Sequence, residues 1–164
     1  MSELRAALIG DSAHTPPLQV IEALPPELAH AHIAGAPHTI YQELWHIAFW
    51  LQITLSWIDG VPTTYPANPN DAFASESQSR AEPWDHLRGR FKRGIEQAAS
   101  LTTEPATLAR LIQCPSRPGA PTRIMSVQDQ LVSLAAHNAY HFGRIVLMRQ
   151  LLGSWPPPSG GFTW

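Results

Sequence analysis

The 164-residue sequence has one cysteine, Cys114, one lysine, Lys92, and no acidic residue after Asp129. A single cysteine excludes an intramolecular disulfide framework and any multi-cysteine zinc site. A net charge of −2 offers no basic field to a nucleic-acid backbone, so no nucleic-acid partner is expected. The most apolar stretch, Leu44 to Ile58, carries His46, Gln52, Thr54 and Ser56 and is too short to span a bilayer. It predicts a helix buried in protein, with no membrane partner. The opening MSELRAALIG lacks the basic start and long apolar run of a signal peptide, so a soluble, cytoplasmic chain is expected. Charged residues make up only 15% against 44% apolar, which excludes a disordered chain. The length predicts one domain.

Two residue types are abundant instead. The 16 prolines are about twice the usual ~5% share, and there are eight histidines. Proline is excluded from helix interiors, so the proline-free windows 38–61, 84–104 and 122–155 predict the long helices. Thr39 and Gln42 have capping-box spacing at the head of the first window, and Gly60 and Pro62 stop it. In the second window Trp84, Leu87, Phe91, Ile95, Ala98 and Leu101 recur at helical spacing opposite a charged face. Ser126 and Asp129 can cap the third, which runs to Leu152 before Gly153 and Pro156. Helices are therefore predicted near 39–59, 83–101 and 126–152.

Residues 2–9 predict a short helix ending at Gly10, and Thr15-Pro16-Pro17 predicts a cap and first turn leading to Leu24. Together they read as one broken bundle helix. A minor helix is predicted over 104–112. No window alternates apolar and polar residues for long enough to predict a strand. The expected fold class is all-α, a four-helix bundle over 1–153. The connection 61–83 is long enough to run the height of a bundle, which would leave the helices on either side parallel. The tail 154–164, rich in proline and glycine, carries Trp155, Phe162 and Trp164, expected to dock on the bundle or on a second subunit.

His137 and His141 stand at i and i+4, one turn apart on one helix face. Two neutral imidazoles so placed can chelate one metal ion. The spacing is weak evidence alone, because eight histidines produce such pairs by chance. The context is stronger: from Leu134 through Ile145, Met148 and Leu152 the same face is apolar, so both imidazoles are directed toward the core. His46, between Leu44, Ile47 and Trp50, is a candidate third ligand from another helix. The bland reading of each is a core histidine bonded to a backbone carbonyl. His14, His30, His32, His38 and His86 lie near prolines or on polar faces and read as surface or capping residues. A di-iron centre would need a second Glu-x-x-His beside Glu43-x-x-His46, but Asn138 stands three before His141 and no carboxylate follows residue 129. Glu43 reads as a surface residue or as a partner to a ligand. The run Arg88, Arg90, Lys92 and Arg93 reads as a solvated face, and Cys114 as a loop thiol. Trp45, Phe49, Trp50, Trp57, Tyr140 and Phe142 read mostly as core, with one or two beside the metal as pocket wall.

His-Thr-Ile-Tyr-Gln-Glu-Leu-Trp-His at 38–46, His-x-x-x-His-x-Gly-Arg-Ile at 137–145 and Leu-Leu-Gly at 151–153 resemble the DinB/YfiT-like metalloprotein superfamily over essentially the whole chain. Its usual serine is Thr39 here. The resemblance implies an up-down-down-up four-helix bundle, frequent homodimers, and a divalent metal, zinc or nickel, on His46, His137 and His141. Characterised relatives use low-molecular-weight thiols such as bacillithiol or mycothiol. The expected function is a metal-dependent, thiol-dependent S-transferase acting on a small molecule. The alternatives are a metal-dependent hydrolase or a non-catalytic metal-binding stress-response protein. The aromatic tail and apolar second helix also point to a homodimer.

Overall fold

The proline-free windows become the long helices of the computed structural model, which describes residues 2–10, 13–61 and 63–161. In chain order the helices and strands are α1 (Glu3–Ile9), α2 (Pro17–Val20), α3 (Pro26–Ala29), α4 (Ile40–Ile58), α5 (Glu76–Ala81), α6 (Trp84–Ser100), α7 (Pro105–Ala109), β1 (Leu111–Cys114), β2 (Arg123–Ser126) and α8 (Val127–Leu151). The fold is mostly helical. Among the described residues no helix is long and apolar enough to cross a membrane.

The caps form where the sequence places them. The Thr39 hydroxyl accepts from the Gln42 N–H, and the Gln42 side chain accepts from the Thr39 N–H at 3.0 Å. Ser126 accepts from the Asp129 N–H at the head of α8. Each such cap stabilises its helix by about 1 kcal/mol. Gly10, at φ +109°, ends α1 in backbone only glycine adopts readily, and a Cβ there would meet Pro16 at 2.5 Å. Pro62, Phe162 and Trp164, to which the sequence gives roles, lie outside the described residues.

α4 packs against α6 and α8, and α1 packs against the same two helices. Leu44, Ile47 and Leu51 of α4, Leu87 and Phe91 of α6 and Leu131 and Ile145 of α8 are buried in one core. At Gly94 of α6 an added Cβ would lie 2.8 Å from the Leu51 side chain, so glycine there permits the close approach to α4. At the far end of α8 the buried Arg149 donates to the carbonyls of Val20, Glu22 and Ser154 and sits 5.5 Å from the Trp155 ring. The described part of the tail thus docks on its own chain.

Four expectations need correction. The second segment ends at Val20, not Leu24: Ala23 takes a φ of +48°, outside the right-handed helical region, and Leu24 is kept out of it by Pro25. Its N-cap is Pro16, not Thr15. Residues 104–112 are not one helix: α7 stops at Ala109, and residues 111–114 pair antiparallel with 123–126, from Leu111 opposite Ser126 to Cys114 opposite Arg123. Four-residue strands are too short to show a period of two, and the pairing is decided across the intervening proline-rich loop. The connection 61–83, expected only as a spanning segment, contains a 3-10 turn at Pro69–Ala72 and α5. That turn delivers a backbone carbonyl and an aromatic ring to the site.

Candidate metal centre

α4 carries His46 and Glu43 one turn apart, and α8 carries His137 and His141. Packing of the two helices brings the ring nitrogens of the three histidines within 4.8 Å of one another, an arrangement that could hold a metal ion. His46 and His141 are buried and His137 is half-buried. The other five histidines stay outside: His30, His32 and His86 are exposed, and His14 bonds the adjacent Thr15 carbonyl. His38 departs from the surface reading, because it is half-buried and stacked on Phe73 at 3.8 Å. Phe73 in turn stacks on His46 at 4.1 Å.

Each Nδ1 has a partner. His46 Nδ1 donates to the Ala72 carbonyl at 2.9 Å and His141 Nδ1 to Glu43 Oε2 at 2.6 Å, and His137 Nδ1 faces the Asn138 amide at 3.3 Å. The carbonyl and the carboxylate assign the proton of His46 and His141 to Nδ1 and leave their Nε2 lone pairs free, while an Asn amide can face His137 Nδ1 with either its oxygen or its nitrogen. His46 Nε2 and His137 Nε2 stand 3.0 Å apart. At that distance the two nitrogens are joined either by a proton on His137 Nε2 or by a cation that both ligate. Nitrogen ligands of a tetrahedral zinc ion lie roughly 3.3 Å apart, so the residues present fit such a group.

Glu43, read as a surface residue or a ligand's partner, is fully buried and is the partner. Arg144 Nη2 lies 2.8 Å from its other oxygen, Oε1, though out of line for a hydrogen bond. With both oxygens engaged, Glu43 orients His141 and is not a free base. Arg144 and Asn138 escaped the sequence reading as parts of the site. Their signal was positional: Arg144 is one turn after His141, and Asn138 is a polar residue on a buried face. The Ala72 carbonyl has no sequence signal at all.

Cys114 ends β1 rather than lying in a loop. It is buried, and burial pushes its thiol pKa up, which suits an inert thiol. In the basic run Arg88 pairs with Asp85 and Lys92 with Glu96 on the solvent side, while Arg90 makes a two-pronged bond to Glu82. Of the aromatics, Trp57 and Phe142 are buried, Trp50 and Trp57 line a cavity beside His137, and Tyr140 is exposed.

Burial above all, with the neighbouring histidines adding to it, pushes the pKa of His46 from 6.5 down to about 3 and that of His137 to about 4. Both folded values lie below that of the unfolded chain, so unfolding takes up protons below pH 6.5. The metal-free protein should therefore hold this part of its stability above pH 6.5 and lose it as pH falls from 6.5 to about 4 for His137 and about 3 for His46. The slope is at most about 1.4 kcal/mol per pH unit for each histidine, less for the half-exposed His137. Urea unfolding in chelator at pH 7 and pH 5 measures it, and equal midpoints would contradict the neutral, buried pair.

A helical fold with three histidines converging from two helices on one point defines a helical protein with a potential metal centre. The family model of the DinB superfamily matches residues 17–145, and the chain belongs to that superfamily. A comparison with curated proteins returns no match.

Proposed function

We propose that this chain is a metal-dependent enzyme in which His46, His137 and His141 hold one divalent ion, zinc or nickel, for a thiol-dependent S-transfer. Such an ion, held by three nitrogens, leaves an open position and supplies the Lewis acidity that deprotonates a thiol or a water. The observation that carries the thiol reading is the state of Glu43. Hydrolysis needs a carboxylate or histidine free to take a proton from water. The carboxylate beside the cluster is already bonded to His141 and paired with Arg144. Thiol activation needs no such base. The histidines bind and orient, Phe73 covers one side of His46, and Trp50 meets both His46 and His137 edge-on.

Elemental analysis of natively purified protein, with bacillithiol, mycothiol or cysteine presented to monochlorobimane, tests the reading. One metal per chain and a metal-dependent rate with a thiol are expected. A rate with esters alone would move the reading to a hydrolase. Bound metal with neither rate would move it to a metal-binding stress protein.

The four packed helices α1, α4, α6 and α8 are read as an up-down-down-up bundle, and the chain as a cytoplasmic homodimer. Val132, Tyr140, Leu147 and Leu151, between 50% and 65% exposed, lie within one face of α8 and support a partner there. The protein is expected to sediment at twice its 18.1 kDa mass, and Leu147→Glu with Leu151→Glu to sediment at that mass. A wild-type monomer at micromolar concentration would overturn the dimer.

A further inference from the structure

Beside the histidine cluster one buried side chain is only half used. Asn138 of α8 is 3% exposed and turns Oδ1 to His137 Nδ1, while Nδ2 of the same amide is enclosed without a partner. An orphaned buried N–H is rarer in folded proteins than an under-used carbonyl. The neighbouring rings fix what His137 has to do. His46 Nδ1 donates to the Ala72 carbonyl, so His46 Nε2 can only accept, and it stands 3.0 Å from His137 Nε2. Without a metal ion the neutral His137 ring closes that contact by donating from Nε2. Its Nδ1 is then an acceptor in need of a donor. A half-turn of the Asn138 amide about Cβ–Cγ supplies one, because it exchanges Oδ1 for Nδ2 at the same place. With an ion on the cluster the demands reverse. Both Nε2 atoms give their lone pairs to the metal, the His137 proton sits on Nδ1, and Oδ1 is the end of the amide that accepts it.

We propose that Asn138 is a positioning residue that changes ends when the site fills: Nδ2 donates to His137 Nδ1 in the metal-free protein, and Oδ1 accepts from it once a divalent ion is held. The proposal deepens the metal reading above and rests on it. His137 is neutral before and after. Its Nε2 proton passes to water and Nδ1 takes one from water, so no net proton is released. The ring is half-buried and lines a cavity of about 160 Å³, which admits that water. His46 and His141 have no such choice, because a carbonyl and an ionised carboxylate only accept. A side-chain amide can serve His137 in both states, and it keeps the ring tied at both nitrogens whether or not metal is present.

Long-range ¹H–¹⁵N correlation spectra of the full chain, labelled at histidine and recorded in chelator and then with zinc, read which ring nitrogen carries hydrogen. In chelator His46 and His141 should carry it on Nδ1 and His137 on Nε2. With zinc all three should carry it on Nδ1. A His137 that already holds its hydrogen on Nδ1 in chelator overturns the switch and leaves the metal reading standing. So does a His137 that keeps Nε2–H while zinc moves the other two rings. Zinc that moves none of the three overturns both. Asn138→Leu offers neither a donor nor an acceptor, and should leave His137 on Nε2–H in chelator and weaken zinc about tenfold. Asn138→Asp, which only accepts, should put hydrogen on His137 Nδ1 before zinc arrives and bind zinc more tightly than Asn138→Leu. A merely structural Asn138 would move neither the tautomer nor that order. Wild-type zinc affinity in Asn138→Leu overturns the positioning role, and if Asn138→Asp fails to fold the wild-type spectra still decide.

Discussion

His137→Ala should purify with no tightly bound metal, against one ion per chain in the wild type. The i,i+4 pair supplies two of the three ligand nitrogens from one rigid helix, and removing either leaves one nitrogen on each of α4 and α8. Binding confined to the native state stabilises it by RT ln(1 + [L]/Kd), about 2.7 kcal/mol when zinc is at 100 times Kd. For a chain of this length that corresponds to roughly 5–10 °C in melting temperature. Wild type should therefore melt higher with zinc than with chelator, and the variant should melt alike in both. His14→Ala, at a side chain bonded only to the neighbouring carbonyl and outside the cluster, should keep the ion and the zinc response. One tight ion per His137→Ala chain would remove the three-histidine assignment. The measurements are elemental analysis after dialysis and calorimetry with and without zinc.

Glu43→Ala should cost more stability than any other single change at the site. Glu43 is fully buried, accepts from His141 Nδ1 at 2.6 Å and sits 2.8 Å from Arg144. Removing one member of a buried pair leaves the others enclosed and unpaired, a loss of about 3–5 kcal/mol in fully buried cases. Arg144 keeps about a quarter of its side chain in solvent, so the lower end is expected. Glu43→Gln keeps an acceptor for His141 but not the charge for Arg144, and should lose less. Both changes free the His141 ring to rotate or change tautomer, and should weaken metal affinity about 10–100-fold. Urea unfolding in chelator reads the stability, and competition with a zinc indicator reads the affinity. If Glu43→Ala matched wild type in both, the carboxylate would have no positioning role.

Much of this is legible because it is local along the chain. Proline cannot sit inside a helix, so the empty windows 38–61, 84–104 and 122–155 contain α4, α6 and α8, and their caps and stop residues narrow the helices to 39–59, 83–101 and 126–152, within a residue of those found. Thr39 with Gln42 and Ser126 with Asp129 mark their starts because a cap is made by side chains three residues away. The pair His137 and His141 is equally local, and its apolar neighbours on α8 show that the face turns inward.

What is not local was legible only in part: the resemblance implied that His46 joins His137 and His141, but not which atoms face one another or what holds them. His46 meets His137 across 91 residues and Glu43 meets His141 across 98, and no spacing rule predicts which turn of α4 faces which turn of α8. The Ala72 carbonyl that holds His46 belongs to a backbone that every residue shares, so no side chain announces it. The same holds for the hairpin 111–126, whose strands are defined by each other. The sequence by itself determined the helices, their caps and the histidine types available, since these follow from propensity and periodicity over a few residues. Only the packing of α4 on α8 decided that the three ring nitrogens share one point and that Glu43 is engaged. Convergence of distant side chains is set by which surfaces bury together, and that is a property of the folded chain.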